Sequence, residues 1–162
     1  MKTTLNLTIV TVLVSSCIFQ GQIFAESETE KEVRQAIIEN FAYLSNNLKY
    51  EPDSFSTHGA LEFWSSGGLM HEISSEAEVG EYDAFDTKPK HIHVISLVEG
   101  QAAVAQYYSE GSMKPKGSPA VNHYLVRVTQ VFVKENGKWK VRASHFSPVI
   151  GGSGTSKASP ED

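Results

Sequence analysis

The sequence predicts an α+β domain: a curved, mostly antiparallel sheet, a cone-like half barrel, covered on one face by about three amino-terminal helices. Two features predict it. Apolar residues recur at helical spacing in the first half of the chain, and in the second half they fall in four strand-like runs joined by short turns.

The first helix is read in "ESETEKEVRQAIIENFAYLSNNLKYEP", where Val33, Ile37, Phe41, Leu44 and Leu48 share one side. Ser27 or Thr29 caps its start and Pro52 ends it. "DSFSTHGALEFWSSGG" reads as a short second helix stopped by Gly67 and Gly68, "GLMHEIS" as a short strand, and "SEAEVGEYDAF" as a third helix. The meander follows as "KHIHVISLV", "QAAVAQYYSEGSM", "AVNHYLVRVTQVFVK" and "KWKVRASHFSP". The turns "EG" and "ENG" and the loop "KPKGSP" join these runs.

Lys2, an apolar stretch from Leu5 to Phe24 and the small residue Ala25 predict a secretory leader over residues 1–25 and a secreted or periplasmic product. The alternative is a lipoprotein anchored at Cys17, since "VSSC" resembles a lipobox. The domain is expected over 26–148, with a disordered tail over 149–162 that lacks apolar clusters. Cys17 is the single cysteine, so the processed domain has no disulfide and depends on its core. The net charge is −5, and no basic patch with interleaved aromatics is present, which disfavours nucleic acid as a partner. No stable membrane span is expected in the mature form.

The stretch "ENGKWKVRASHFSP" alternates, placing Trp139, Val141, Ala143 and His145 on one side. A type I turn at Glu135 and Asn136 with a left-handed Gly137 pairs Val133 with Trp139 and Arg127 with His145. A two-residue Asn-Gly loop would instead set Val133 opposite Lys140, and the apolar pattern favours the first register. On it, Arg127 and His145 share the buried face. A buried guanidinium beside an imidazole points to a cavity, with Arg127 receiving an anion or carbonyl oxygen and disfavouring protonation of His145. The opposite side carries Tyr124, Val126, Val128 and Phe132, with only Gln130 polar, and predicts a homodimer through that outer face.

"YLVRVTQVFVKENGKWKVRASHFSP" resembles the last hairpin of the nuclear transport factor 2-like superfamily, which includes ketosteroid isomerases, polyketide cyclases and the association domain of calcium/calmodulin-dependent protein kinase II. Gly137-Lys138-Trp139 with His145 and Ser147 is most similar to that association domain, and "LVEGQAAVAQYY" resembles its preceding hairpin, with Tyr107 matching a pocket tyrosine. The resemblance implies a conical pocket and a dimer through the outer sheet face. The chain carries Ser109 and Phe146 near the association domain's pocket arginines, and Thr129 where an isomerase would have an aspartate.

Trp64, Met70 and His71 surround "SSGG" and form either the pocket mouth or ordinary core and rim. Tyr43 on the first helix either reaches the cavity or packs between layers. His91 and His93 share a strand face, but no spacing supplies a third ligand, so no metal and no cofactor is expected. The sequence therefore predicts an exported small-molecule-binding domain with Arg127, Tyr107, His145, Tyr43, Trp64 and His71 as its site. One alternative is an isomerase, dehydratase or cyclase with His145 as general base. Another is an oligomerisation module without a small ligand.

Overall fold

The computed structural model describes residues 25–77 and 80–155. The expected leader, Ala25 apart, lies outside these residues, as does Cys17. One helix and six strands follow in order: α1 (Glu28–Asn47), β1 (Ala60–Phe63), β2 (His71–Ile73), β3 (Tyr82–Val98), β4 (Ala102–Pro115), β5 (Val121–Glu135) and β6 (Lys138–Pro148).

Helix α1 starts where the sequence places it. The Ser27 side chain accepts from the Glu30 N–H at 3.2 Å, and Glu30 Oε2 accepts from the Ser27 N–H at 2.9 Å, a complete capping box. Leu48 closes it in the left-handed conformation. Its first turn is also gripped by the β3–β4 turn. The Thr29 N–H donates to Glu99 Oε1 at 3.1 Å, and the Gly100 N–H donates to Thr29 Oγ1 at 2.7 Å.

The two further helices expected from "DSFSTHGALEFWSSGG" and "SEAEVGEYDAF" are absent from the described residues. The first stretch is a loop followed by β1, and the second contains a turn and the start of β3. Tertiary pairing overrides local periodicity here: Leu61, Glu62 and Phe63 pair in parallel with Ala143, Ser144 and His145 of β6. The sheet order is β2-β1-β6-β5-β4-β3, antiparallel except at β1·β6.

The β5–β6 hairpin takes the two-residue loop. Asn136 (φ 52°) and Gly137 (φ 80°) are both left-handed, as a type I′ turn requires, and Glu135 pairs with Lys138. Val133 therefore faces Lys140. That pairing looked unfavourable because lysine was assigned to water. In the fold Lys140 is 1% exposed, covered by the 53–56 segment, with its ammonium against Asp53 and 3.9 Å from Glu135.

A bulge then reverses the side-chain sense of β6. Val131 pairs with Ala143 and Phe132 with Val141, leaving Arg142 as the extra residue. Trp139 and Val141 face α1; beyond the bulge Ser144 and Phe146 take that side, and His145 turns outward. The dimer face predicted from Tyr124, Val126, Val128 and Phe132 is corrected by the same register. These four are at most 5% exposed and pack under α1 with Val33, Ile37 and Leu44. Burying side chains of this size stabilises by about 1.5–3 kcal/mol each.

The outer face carries a different apolar row. Ile95, Val104, Val131, Ala143 and Leu61 are successive cross-strand partners over five strands. The expected disordered tail is also corrected for residues 149–155. Ser153 brackets β5, donating from its N–H to His123 O (2.9 Å) and accepting from the Leu125 N–H (3.3 Å), while Gly154 lies against Ser65.

Gly111 sits at φ 150° where β4 meets β3, and a Cβ there would lie 2.0 Å from the Asp86 carbonyl oxygen. Gly111→Ala is expected to lower unfolding free energy by about 1–3 kcal/mol, read from urea denaturation.

Candidate functional site

A cavity of about 840 Å³ lies between α1 and the concave side of the sheet. Its walls are largely aromatic. Phe41 of α1 meets Phe85 and Tyr107 at ring separations of 6.1 and 6.0 Å, and Tyr82 stands edge-on to Phe85 at 5.1 Å. A second cavity of about 420 Å³ opens beside the β5–β6 hairpin and shares Asn40, Tyr107 and Gln130 with the first.

One polar row crosses the floor. Gln130 of β5 pairs with Ser144 of β6, Ser144 with Glu62 of β1, and Glu62 with His71 of β2, so four strands each place a polar side chain at one level. The bulge at Arg142 creates this row, because without it Ser144 would face outward. The hydrogen bonds run one way. Tyr107 Oη donates to Gln130 Oε1 at 2.7 Å, and Gln130 Nε2 donates to Ser144 Oγ at 3.2 Å. The Ser144 hydroxyl, its oxygen engaged by Gln130, donates to the Glu62 carboxyl, and Trp64 Nε1 donates to Glu62 Oε2 at 3.1 Å.

Glu62 is 7% exposed and has no cationic partner among the described ion pairs. Burial pushes its carboxyl above the usual range, and the bonds from Ser144 and Trp64 only partly offset this. Burial likewise raises Tyr107, Tyr50 and Tyr124, which remain neutral phenols. His71 stacks on Trp64 at 4.7 Å, and its Nδ1 is buried without a partner. A buried carboxyl and an unsatisfied imidazole nitrogen on paired positions can donate to, accept from or exchange a proton with a bound molecule.

Of the residues picked from sequence, Tyr107, Trp64 and His71 line this cavity. Arg127 and His145 do not, which corrects their placement in one buried pocket. Arg127 is exposed and donates to the Pro148 carbonyl at 3.4 Å, and exposed His145 lies edge-on to Phe63 at 5.7 Å. The two still share a face of the sheet, but it is the outer one, because the bulge places His145 opposite Thr129. Tyr43 is half-buried on α1 and lies outside the walls of both cavities. His91 and His93 are exposed on β3, with His91 edge-on to Tyr108 at 6.1 Å.

Glu62, Ser144 and Gln130 were missed. Gln130 had a visible signal, as the single polar residue in an otherwise apolar stripe. Glu62 had a weaker one: it shares parity with Ala60 and Trp64, which shows only if "ALEFW" is read as a strand.

Similarities to known proteins fit this architecture. A SnoaL-like domain model matches residues 33–151. Among solved structures, the chain is similar to a proposed aromatic ring hydroxylase of Novosphingobium aromaticivorans (TM-score 0.54, 16% identity, 77% of this chain and 92% of that one). It is also similar to a proposed calcium/calmodulin-dependent kinase II association domain of Exiguobacterium sibiricum 255-15 (TM-score 0.52, 15% identity, 77% and 96%). A third is a nuclear transport factor 2-like protein of unknown function from Pseudomonas putida KT2440 (TM-score 0.52, 16% identity, 74% and 85%). At such identities these neighbours speak to the fold alone, and no curated protein matches the sequence. A family match over most of the chain, a cone of antiparallel strands under one helix and a cavity between them agree: the chain belongs to the SnoaL-like domain family.

Proposed function

We propose that this chain is an exported small-molecule-binding domain whose ligand occupies the cavity between α1 and the sheet. The observation that carries this reading is the combination of aromatic walls with a single polar row ending at Glu62 and His71. Pockets that bury a flat ligand and orient it with a few convergent polar groups have this composition. A second reading is favoured by one residue. Glu62, buried without a cation, is suited to general acid–base work, so if the domain is an isomerase, dehydratase or cyclase, the proton-handling group is Glu62 rather than His145.

Ser109 lines the cavity away from the polar row and is 2% exposed. A naphthalene probe such as 2-acetylnaphthalene should bind with one-to-one stoichiometry and quench tryptophan fluorescence. Ser109→Leu, with an unchanged circular dichroism spectrum, should weaken it about tenfold by occupying cavity space. Non-saturable quenching, or equal affinity in the variant, would place the probe elsewhere.

Export rests on the sequence of the first 25 residues. Protein from its native host should begin near Glu26 by amino-terminal mass analysis, while a lipidated Cys17 in membrane fractions would replace this reading with the tethered one.

The outer apolar row fits a second copy of the chain. Ile95, 55% exposed, leads a continuous cross-strand strip, with Tyr108 and Phe63 on the same face also over 40% exposed. Sedimentation velocity should show a dimer, and Ile95→Glu should yield a folded monomer, since it would bury an unpaired charge. A monomeric unmodified domain at high concentration would remove this partner.

A further inference from the structure

We propose that the smaller cavity is a subsite for a primary ammonium group, carried on a flexible arm by a ligand whose ring system lies in the larger cavity. This rests on the binding reading above and adds the second half of the ligand. The two cavities meet at Asn40, Tyr107 and Gln130, so a molecule seated between α1 and the sheet has a passage toward the β5–β6 hairpin. The walls change character along it. Phe41, Tyr82 and Phe85 line only the larger cavity, whereas Glu32, Glu39, Glu51 and Asp53 line only the smaller one.

Two buried polar atoms carry it. Asn40 Oδ1, on α1, and Ser54 Oγ, on the 51–54 segment, are both shut off from solvent without a hydrogen-bond partner, and both residues line the smaller cavity. A buried polar atom left unpaired is costly, and a ligand that supplies the missing partner recovers the loss. Asn40 Oδ1 can only accept, and Ser54 Oγ can accept. At the passage the Tyr107 hydroxyl spends its hydrogen on Gln130 Oε1 and keeps a lone pair. An ammonium brings three hydrogens and accepts none, so it suits a site made of acceptors; a carboxylate brings no hydrogen at all.

The charges around the smaller cavity have the matching sign. Lys134 is held by Glu32, and Asp53 by the buried Lys140. Glu39 and Glu51 have no cationic partner among the described ion pairs, and Lys138 is the unpaired cation set against these two carboxylates. Both glutamates are exposed, so their attraction is screened and modest. They favour a cation over an anion, and the buried acceptors select a cation that carries hydrogens.

The test uses three probes with one ring and one arm length: 4-(2-naphthyl)butylamine, its trimethylammonium derivative and 5-(2-naphthyl)pentanoate. 2-Acetylnaphthalene, which has no arm, reports the larger cavity alone. Titrations follow tryptophan fluorescence at about pH 7, where the primary amine is protonated. The primary amine is expected to bind about tenfold more tightly than either armed relative. Added salt should narrow its lead over the carboxylate and leave its lead over the trimethylammonium probe. Ser54 lines the smaller cavity and not the larger. Ser54→Ala should therefore weaken the primary amine about fivefold, with the trimethylammonium probe and 2-acetylnaphthalene unaffected. Asn40→Asp, which replaces the amide acceptor with a charged one, should strengthen the primary amine about tenfold. Circular dichroism checks that both variants are folded. Equal affinity for the three armed probes, or an amine preference that Ser54→Ala leaves unchanged, overturns the subsite while the binding reading stands. Saturable binding of none of the four probes overturns both.

Discussion

A single inserted residue decides what this domain presents to its interior. Arg142 is the surplus member of the β5–β6 ladder, and it exchanges the two sides of β6 halfway along. Before it, Trp139 and Val141 complete the packing under α1. After it, Ser144 falls into line with Gln130 and Glu62, and His145 is expelled to the surface. A strand continuing without interruption would have carried Ala143 and His145 inward and broken the row that crosses the floor. The polar contents of the cavity are therefore a consequence of strand register as much as of residue type.

The wall facing that floor is held by two neighbouring turns at one end of the sheet, which the Lys134 N–H joins by donating to Gln101 O at 2.9 Å. The β3–β4 turn caps the first turn of α1 through Glu99 and Gly100. The β5–β6 hairpin reaches the same helix one turn later, where Glu32 accepts from Lys134 at 2.6 Å and from Trp139 Nε1 at 2.8 Å. These bonds hold Glu32 and Glu99 below the ordinary glutamate range. They are exposed and individually modest. Their value is positional: they fix the tilt of one helix that alone does the covering expected of three.

Much of the fold was legible in the sequence. The α1 periodicity and its Ser27 cap, the four long strand runs and the short turns all gave local signals. The segment 53–85 did not. Its strands are three and four residues long, and β1 exists because β6 offers a parallel edge some eighty residues away. The candidate site was half legible. Tyr107, Trp64 and His71 could be picked as large polar-aromatic groups near expected turns. Arg127 was misplaced because the two-residue turn shifts the partners of β5 by one, and His145 because alternation was extended through a bulge that nothing local announces. Lys140 reinforced the error: it is buried, and its exposed partner Asp53 lies in a loop whose path sequence periodicity does not describe.

The segment after β6 has a consequence for how this domain can be extended. Residues 152–155 run between β5 and Ser65, and Thr155, whose N–H donates to Ser65 Oγ at 3.1 Å, is itself part of the cavity wall. Thr155 thus stands at the rim of the cavity rather than at a remote corner. A fused module or affinity tag placed there would act as a doorpost, altering access and escape while leaving the strands beneath it undisturbed.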